Sequence, residues 1–285
     1  MTKGILAVGL LFLVGACLGC RGWIAQTEKP GETPMASRAS GWEASRALSR
    51  SKTAVAYAVS NGPEGRSEVW VSRIDGSQAR RVSAPEEDAL MPAWVDDKTL
   101  LYVKSRFTGN YSPVARPRRH ELDVVEVVVD PDGPVAGAVP VELTNQHFFD
   151  LRSLSVSPDG KRFLISTEGY PIGSLIEEFD ISKPLQTGRI FQPHVPSEPS
   201  SGAIFGQAAY IGDGMQIVFT AATEGKGGMF DYNVYQMSGV TGGELVKLTQ
   251  HSGMIDDMTV GNDGTIYISA GGRRYSVDTR AHVLR

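Results

Sequence analysis

The chain has 285 residues, 41% hydrophobic and 21% charged, with a formal net charge of −4. That hydrophobic share supports a packed core and excludes a chain disordered throughout. The length suits one large all-β domain or two small ones, and the acidic balance argues against a nucleic-acid binder, whose contact face would be strongly basic.

The first residues read as a processing signal. Lys3 supplies a short positive region, and Ile5 to Val14 are almost all apolar. This run is too short for an ordinary membrane span and suits a secretory signal. The two cysteines, Cys17 and Cys20, both lie here, so the rest of the chain has no disulfide framework and no thiolate chemistry. Val14-Gly15-Ala16-Cys17 resembles the bacterial lipobox. The resemblance implies removal of residues 1–16 and lipid on the Cys17 thiol and amino group. Two or more acyl chains, at about 0.8 kcal/mol per buried CH₂, anchor a chain durably. The alternative is a signal peptide cut near Cys20, leaving a soluble protein. Leu18 rather than Asp after Cys17 favours, by the same resemblance, the outer membrane.

Residues 17–46 are rich in Gly, Pro, Ser, Thr and charge, which reads as a tether. Trp42 is its only large aromatic after Trp23. It is suited to dock on the domain or to supply a closing strand.

The strand pattern occupies residues 47–285. A first unit runs through Thr53–Ser60 and Glu68–Ile74, with Val69, Val71 and Ile74 alternating against Glu68, Trp70 and Ser72. The turn Asp75-Gly76-Ser77 and a polar strand Ala79–Ser83 complete it. A second unit holds Met91–Val95, the turn Asp96-Asp97, Thr99–Lys104, an insertion Ser105–His120, Glu121–Val129 and Val139–Thr144. A third carries Ser155–Ser166 around Ser157-Pro158-Asp159-Gly160, then 174–182 and 188–192. A fourth runs from Gly202 to Thr249 and a fifth from Gly253 to Arg285.

The turns recur near residues 51, 96, 159, 213 and 263, at spacings of 45, 63, 54 and 50. Asp accepts a backbone hydrogen bond in such a turn, and Gly takes its positive φ. A repeat of this length built of short strands predicts an all-β propeller of five or six blades, each a four-stranded antiparallel sheet. A pair of β-sandwiches is the alternative. It does not predict the recurring strand-turn-strand order.

Ser155-Val156-Ser157-Pro158-Asp159-Gly160-Lys161 and Asp75-Gly76-Ser77…Arg80-Arg81-Val82-Ser83 resemble the WD40-like repeats of the TolB β-propeller. Leu143-Thr144 and Leu248-Thr249 stand where that family ends a blade. The resemblance covers residues 47 to 285. It departs from the family in blade count, since TolB has six, and in having a tether where TolB carries an α/β domain. The arm and domain by which the family contacts envelope proteins therefore have no counterpart in the residues given, and membership of the Tol-Pal system is not implied.

Counting from the turns pairs His147 with His251, each nine residues before an inner-strand valine, and Asp88 with Asp150, each six before the inner-strand position of Trp94 and Val156. Asp256 and Asp257 fall close by. A mouth carrying His and carboxylates offers ligands for a divalent metal, and some TolB-like propellers are metal-dependent pectate-fragment lyases. The plainer reading is that these residues hydrogen-bond the neighbouring blade. Arg116, Arg118, Arg119 and His120 form a basic cluster on the insertion, suited to acidic headgroups, a glycan or an acidic partner. No Gly-X-Ser-X-Gly motif is present, which argues against a serine hydrolase.

The expected protein is a lipid-anchored envelope propeller acting as a non-catalytic binding scaffold for a protein or glycan ligand, with no cofactor, metal or nucleic acid. The alternative is a metal-dependent lyase acting on acidic oligosaccharide.

Overall fold

The computed structural model describes residues 46–60, 66–107, 120–130, 139–169, 173–195, 203–224, 230–243, 245–251, 253–261, 263–278 and 283–284. They form five four-stranded antiparallel sheets, and within each the strands neighbour one another in chain order. Blade 1 is β1 (Arg46–Leu48), β2 (Ala54–Ser60), β3 (Ser67–Arg73) and β4 (Arg80–Arg81); blade 2 is β5 (Asp88–Trp94), β6 (Thr99–Phe107), β7 (His120–Val128) and β8 (Val141–Glu142). Blade 3 is β9 (Asp150–Val156), β10 (Arg162–Gly169), β11 (Gly173–Asp180) and β12 (Arg189–Phe191); blade 4 is β13 (Ile204–Ile211), β14 (Gln216–Glu224), β15 (Phe230–Ser238) and β16 (Val246–Lys247). Blade 5 is β17 (Asp257–Val260), β18 (Ile266–Ala270), β19 (Arg273–Asp278) and β20 (Val283–Leu284). The fold is a five-bladed β-propeller.

In blades 2, 3 and 4 the second strand is sandwiched between neighbouring sheets, so its apolar residues run nearly without interruption. Phe163 and Ile165 of β10 turn to blade 2, where they join Leu101, Val103 and Val124. Leu164 between them turns to blade 4 and packs with Ile217 and Phe219. Further clusters join blade 1 to blade 2 around Leu100 and Tyr102, and blade 4 to blade 5 around Val218 and Ile268. Each such side chain contributes roughly 2–3 kcal/mol on leaving water. Among the described residues no apolar cluster spans blades 5 and 1.

Three expectations change. The innermost strand of blade 1 begins at Arg46 and has three residues, too few to show a period. Ile74 lies beyond β3 and is 57% exposed, because the chain has entered the Asp75-Gly76 turn. Ser105 to Phe107 extend β6, and His120 opens β7 opposite Phe107, so the insertion is shorter than its polarity suggests.

The blade-ending Leu-Thr and Val-Ser pairs have a common chemistry. The fourth strand stops after two or three residues, and the Ser or Thr hydroxyl then replaces its backbone. The Ser83 hydroxyl accepts the Val69 N–H at 3.1 Å, Thr144 that of Val124 at 2.8 Å, and Thr249 that of Val234 at 2.9 Å.

Candidate functional site

The propeller axis has two different ends. At one, the inner hairpins close through aspartate turns: Asp96 accepts the Lys98 and Thr99 N–H groups, Asp159 that of Lys161, Asp213 that of Met215 and Asp263 that of Thr265. The Ser157 hydroxyl donates to Asp159 at 2.6 Å and holds that carboxyl below its usual range. Gly160, at φ +71°, sits so close to blades 1 and 2 that a Cβ there would lie 2.8 Å from Arg50 Nη2 and 3.0 Å from the Val95 carbonyl. The most family-specific turn of the chain is thus packed against its neighbours.

At the other end a cavity of about 630 Å³ opens along the axis. Asp88, Leu90 and Met91 of β5 line it, with Asp150, Leu151 and Arg152 of β9, and Ile204, Gly206 and Gln207 of β13. Leu122, Tyr232, Ile255 and Asp256 also contribute. The inner strands reach it through a shared irregularity. Pairing slips by one residue between Leu90 and Ala93, at Arg152, and between Phe205 and Ala208. An extra residue of this kind bends the strand and re-aims its side chains. Of the residues within these bulges, Met91, Arg152, Gly206 and Gln207 are in the cavity wall.

Hydrogen bonds set the geometry there. Arg152 places Nε and Nη2 on Asp150 Oδ2, at 2.9 and 2.8 Å, and donates through Nη1 to the Phe205 carbonyl at 2.7 Å. Asp88 Oδ1 accepts the Ser67 N–H at 2.8 Å. Gly206 leaves room for Thr220, whose hydroxyl accepts the Gln207 N–H at 2.9 Å. A Cβ on Gly206 would meet that oxygen at 2.3 Å. Three carboxylates against one arginine, itself committed to Asp150, make the mouth acidic and favour cationic groups.

The structure brings Asp88 and Asp150 together on this cavity. It does not bring His147 or His251 to it. His147 Nδ1 lies 2.7 Å from Asp123 Oδ2, and its N–H donates to Asp123 Oδ1. The His251 N–H donates to Asn233 Oδ1 at 2.8 Å. Thr144 and Thr249 donate to the same two side chains. The paired histidines therefore stand at equivalent places on blades 2 and 4, tied to third-strand residues at the blade edge. Among the described residues no three His, Cys, Asp or Glu side chains converge to share an ion. Cys17, Arg116, Arg118 and Arg119 lie outside the described residues, as does the side chain of His120. At the cavity end of blade 2, Phe107 pairs with His120.

The bulged wall residues were not singled out in the sequence. Their signals are Pro92 inside an apparent strand and Gly206 in another, since Pro and Gly within a strand often mark a bulge.

The chain matches no protein-family model and no curated protein. Among solved structures it is similar to TolB from Acinetobacter baumannii, with a TM-score of 0.60 at 15% identity, covering 84% of this chain and 52% of that one. A putative TolB from Agrobacterium tumefaciens superposes with a TM-score of 0.54 at 19% identity, over 77% of this chain and 69% of that one. A Xanthomonas campestris gluconolactonase gives 0.53 at 16%, over 84% and 71%. The chain spans about half the length of the Acinetobacter protein. At these identities the likeness is one of fold: the domain is a TolB-like β-propeller.

Proposed function

We propose that this chain is a non-catalytic binding scaffold of the bacterial envelope, anchored by lipid at Cys17, whose axial cavity receives a group from a protein or envelope ligand. The observation that carries the reading is the cavity itself. Four blades or their lead-in segments converge on it, three inner strands bulge toward it, and its wall combines apolar surface with Asp88, Asp150 and Asp256. Such a mixture of apolar wall and a few fixed polar groups is the usual make-up of a ligand site.

A lyase using His147 and His251 around one ion needs both imidazoles in one cavity, and neither lines this one. The hydrolytic neighbour shares the fold alone, and function resides in sites rather than folds.

The test is site-specific photocrosslinking in membranes. A photoreactive residue at Met254, exposed beside the cavity-lining Ile255, is expected to capture a discrete partner, whereas one at Met215, exposed at the turn end, is not. Equal capture from both positions contradicts the reading. Labelling with a fatty-acid analogue tests the anchor: label surviving Cys17→Ala removes it.

A further inference from the structure

We propose, on the reading of the axial cavity as a ligand site, that its occupant is a lysine or arginine side chain of a partner protein, whose flanking apolar residues cover the rim.

The rim is built from the connections between blades. Where the chain passes from blade 2 into blade 3, Phe148 bridges Leu122, and where it passes from blade 4 into blade 5, Gly253 bridges Asp231. Side chains alternate along extended backbone, so Phe148 is buried and Phe149 beside it is exposed. Met254 follows Gly253, Phe230 precedes Asp231, and Ile204 opens β13. Phe149, Ile204, Phe230 and Met254 are 40–60% exposed. They stand next to Asp150, Tyr232 and Ile255 of the cavity lining, and Ile204 belongs to it. Exposed apolar residues scattered singly are ordinary, whereas several gathered at one mouth mark a surface for another protein.

Inside this rim the spare capacity is anionic. Arg152 neutralises Asp150. Asp88 Oδ1 takes the Ser67 N–H, while Asp88 Oδ2 and the Asp256 carboxylate meet no donor among the described residues. Both carboxylates line the cavity. A cationic donor entering it makes charge-assisted hydrogen bonds, which are shorter and stronger than neutral ones.

Lysine and arginine satisfy wall and carboxylates together. Their aliphatic stems lie along apolar surface, here Leu90, Ile204 and Ile255, while the charged head reaches a polar group. A free polyamine or inorganic cation satisfies the carboxylates and leaves Phe149, Phe230 and Met254 in water. The rim therefore assigns the cation to a protein.

The test uses the purified full-length chain and pools of pentapeptides with a fixed central residue and random apolar residues around it. Pools with central arginine or lysine are expected to bind about tenfold more tightly, or better, than the pool with citrulline, the neutral isostere of arginine. Asp88→Asn/Asp256→Asn should abolish that preference, and Phe149→Ser/Phe230→Ser should weaken binding of every pool. Equal binding of the arginine and citrulline pools overturns the proposal, as does a preference that survives the double Asn variant. Agmatine, a free guanidinium, binding as tightly as the arginine pool overturns the protein partner. Asn at position 88 keeps an acceptor for the Ser67 N–H. Should the double variant not fold, Asp256→Asn alone is expected to reduce the preference, and an unchanged preference counts against the proposal. Photocapture at Met254 separates the two ideas: equal capture by the wild type and the double Asn variant sinks the cation and leaves the site, whereas no capture by either removes both.

Discussion

Gln207 holds Asp257 across the seam between blades 4 and 5. Its amide donates to Asp257 Oδ1 at 2.7 Å, and its carbonyl accepts the N–H of the adjacent Met258. One side chain on a bulge of β13 thus satisfies two groups of β17. Blade 5 is the last sheet in the series of apolar clusters, with none described between it and blade 1, so this clamp matters more than its area suggests.

Gln207→Leu removes both bonds and leaves the Met258 N–H without its acceptor. A loss of about 1–3 kcal/mol is expected. Hydrogen exchange should rise first in β17 to β19 and only later in β10, because blade 5 has one described apolar seam and blade 3 has two. Uniform acceleration across the ring would count against the clamp.

Gly160 and Gly76 both have positive φ, +71° and +81°, but a Cβ meets Arg50 and Val95 at the first and open space at the second. Gly76→Ala should cost about 1 kcal/mol, from backbone conformation alone. Gly160→Ala should cost about 1–3 kcal/mol more, through displaced neighbours. Denaturant midpoints of the two variants measure the gap.

Thr144 is fully buried and its hydroxyl accepts the Val124 N–H where β8 has ended. Thr144→Val keeps the shape and orphans that donor, for a loss of about 1–3 kcal/mol. Thr144→Ser keeps the hydroxyl and should recover most of it. If serine is no better than valine, the hydroxyl does not have this role.

Glu177 faces blade 2 on β11, opposite Ile165, and is 8% exposed. Burial pushes its carboxyl above the usual glutamate range. A raised folded pKa means the folded state holds the proton more tightly than the unfolded one. Its contribution to stability is complete below the unfolded pKa and is lost as pH rises through the folded value. Glu177→Gln should therefore stabilise the protein at pH 7, where the buried carboxyl is driven to ionise. The gain should shrink toward about pH 4, glutamate's ordinary range. Thermal melts of both proteins from pH 4 to 8 decide it, and a gain independent of pH would falsify the assignment.

The propeller was legible because its markers are local. Asp159 and Gly160 build a turn from their own backbone, Thr144 and Thr249 replace a missing strand from two residues away in the ladder, and an apolar run such as Phe163 to Ile165 reports burial on both faces. These features need only neighbours in sequence or across one hairpin, so the repeat and its period follow from the chain alone. The spacing that pairs Asp88 with Asp150 is of the same kind.

The cavity could not be read this way. Met91, Arg152 and Gln207 reach it because three strands each take one extra residue, and that slip appears only when a strand is laid against its partner. The same ladder sends His147 and His251 to Asp123 and Asn233, although their spacing from the turns is as regular as that of the aspartates. Period along the chain determines which residues are equivalent. Only the tertiary structure decides which equivalent residues meet, because that depends on bulges and on contacts between blades dozens of residues apart.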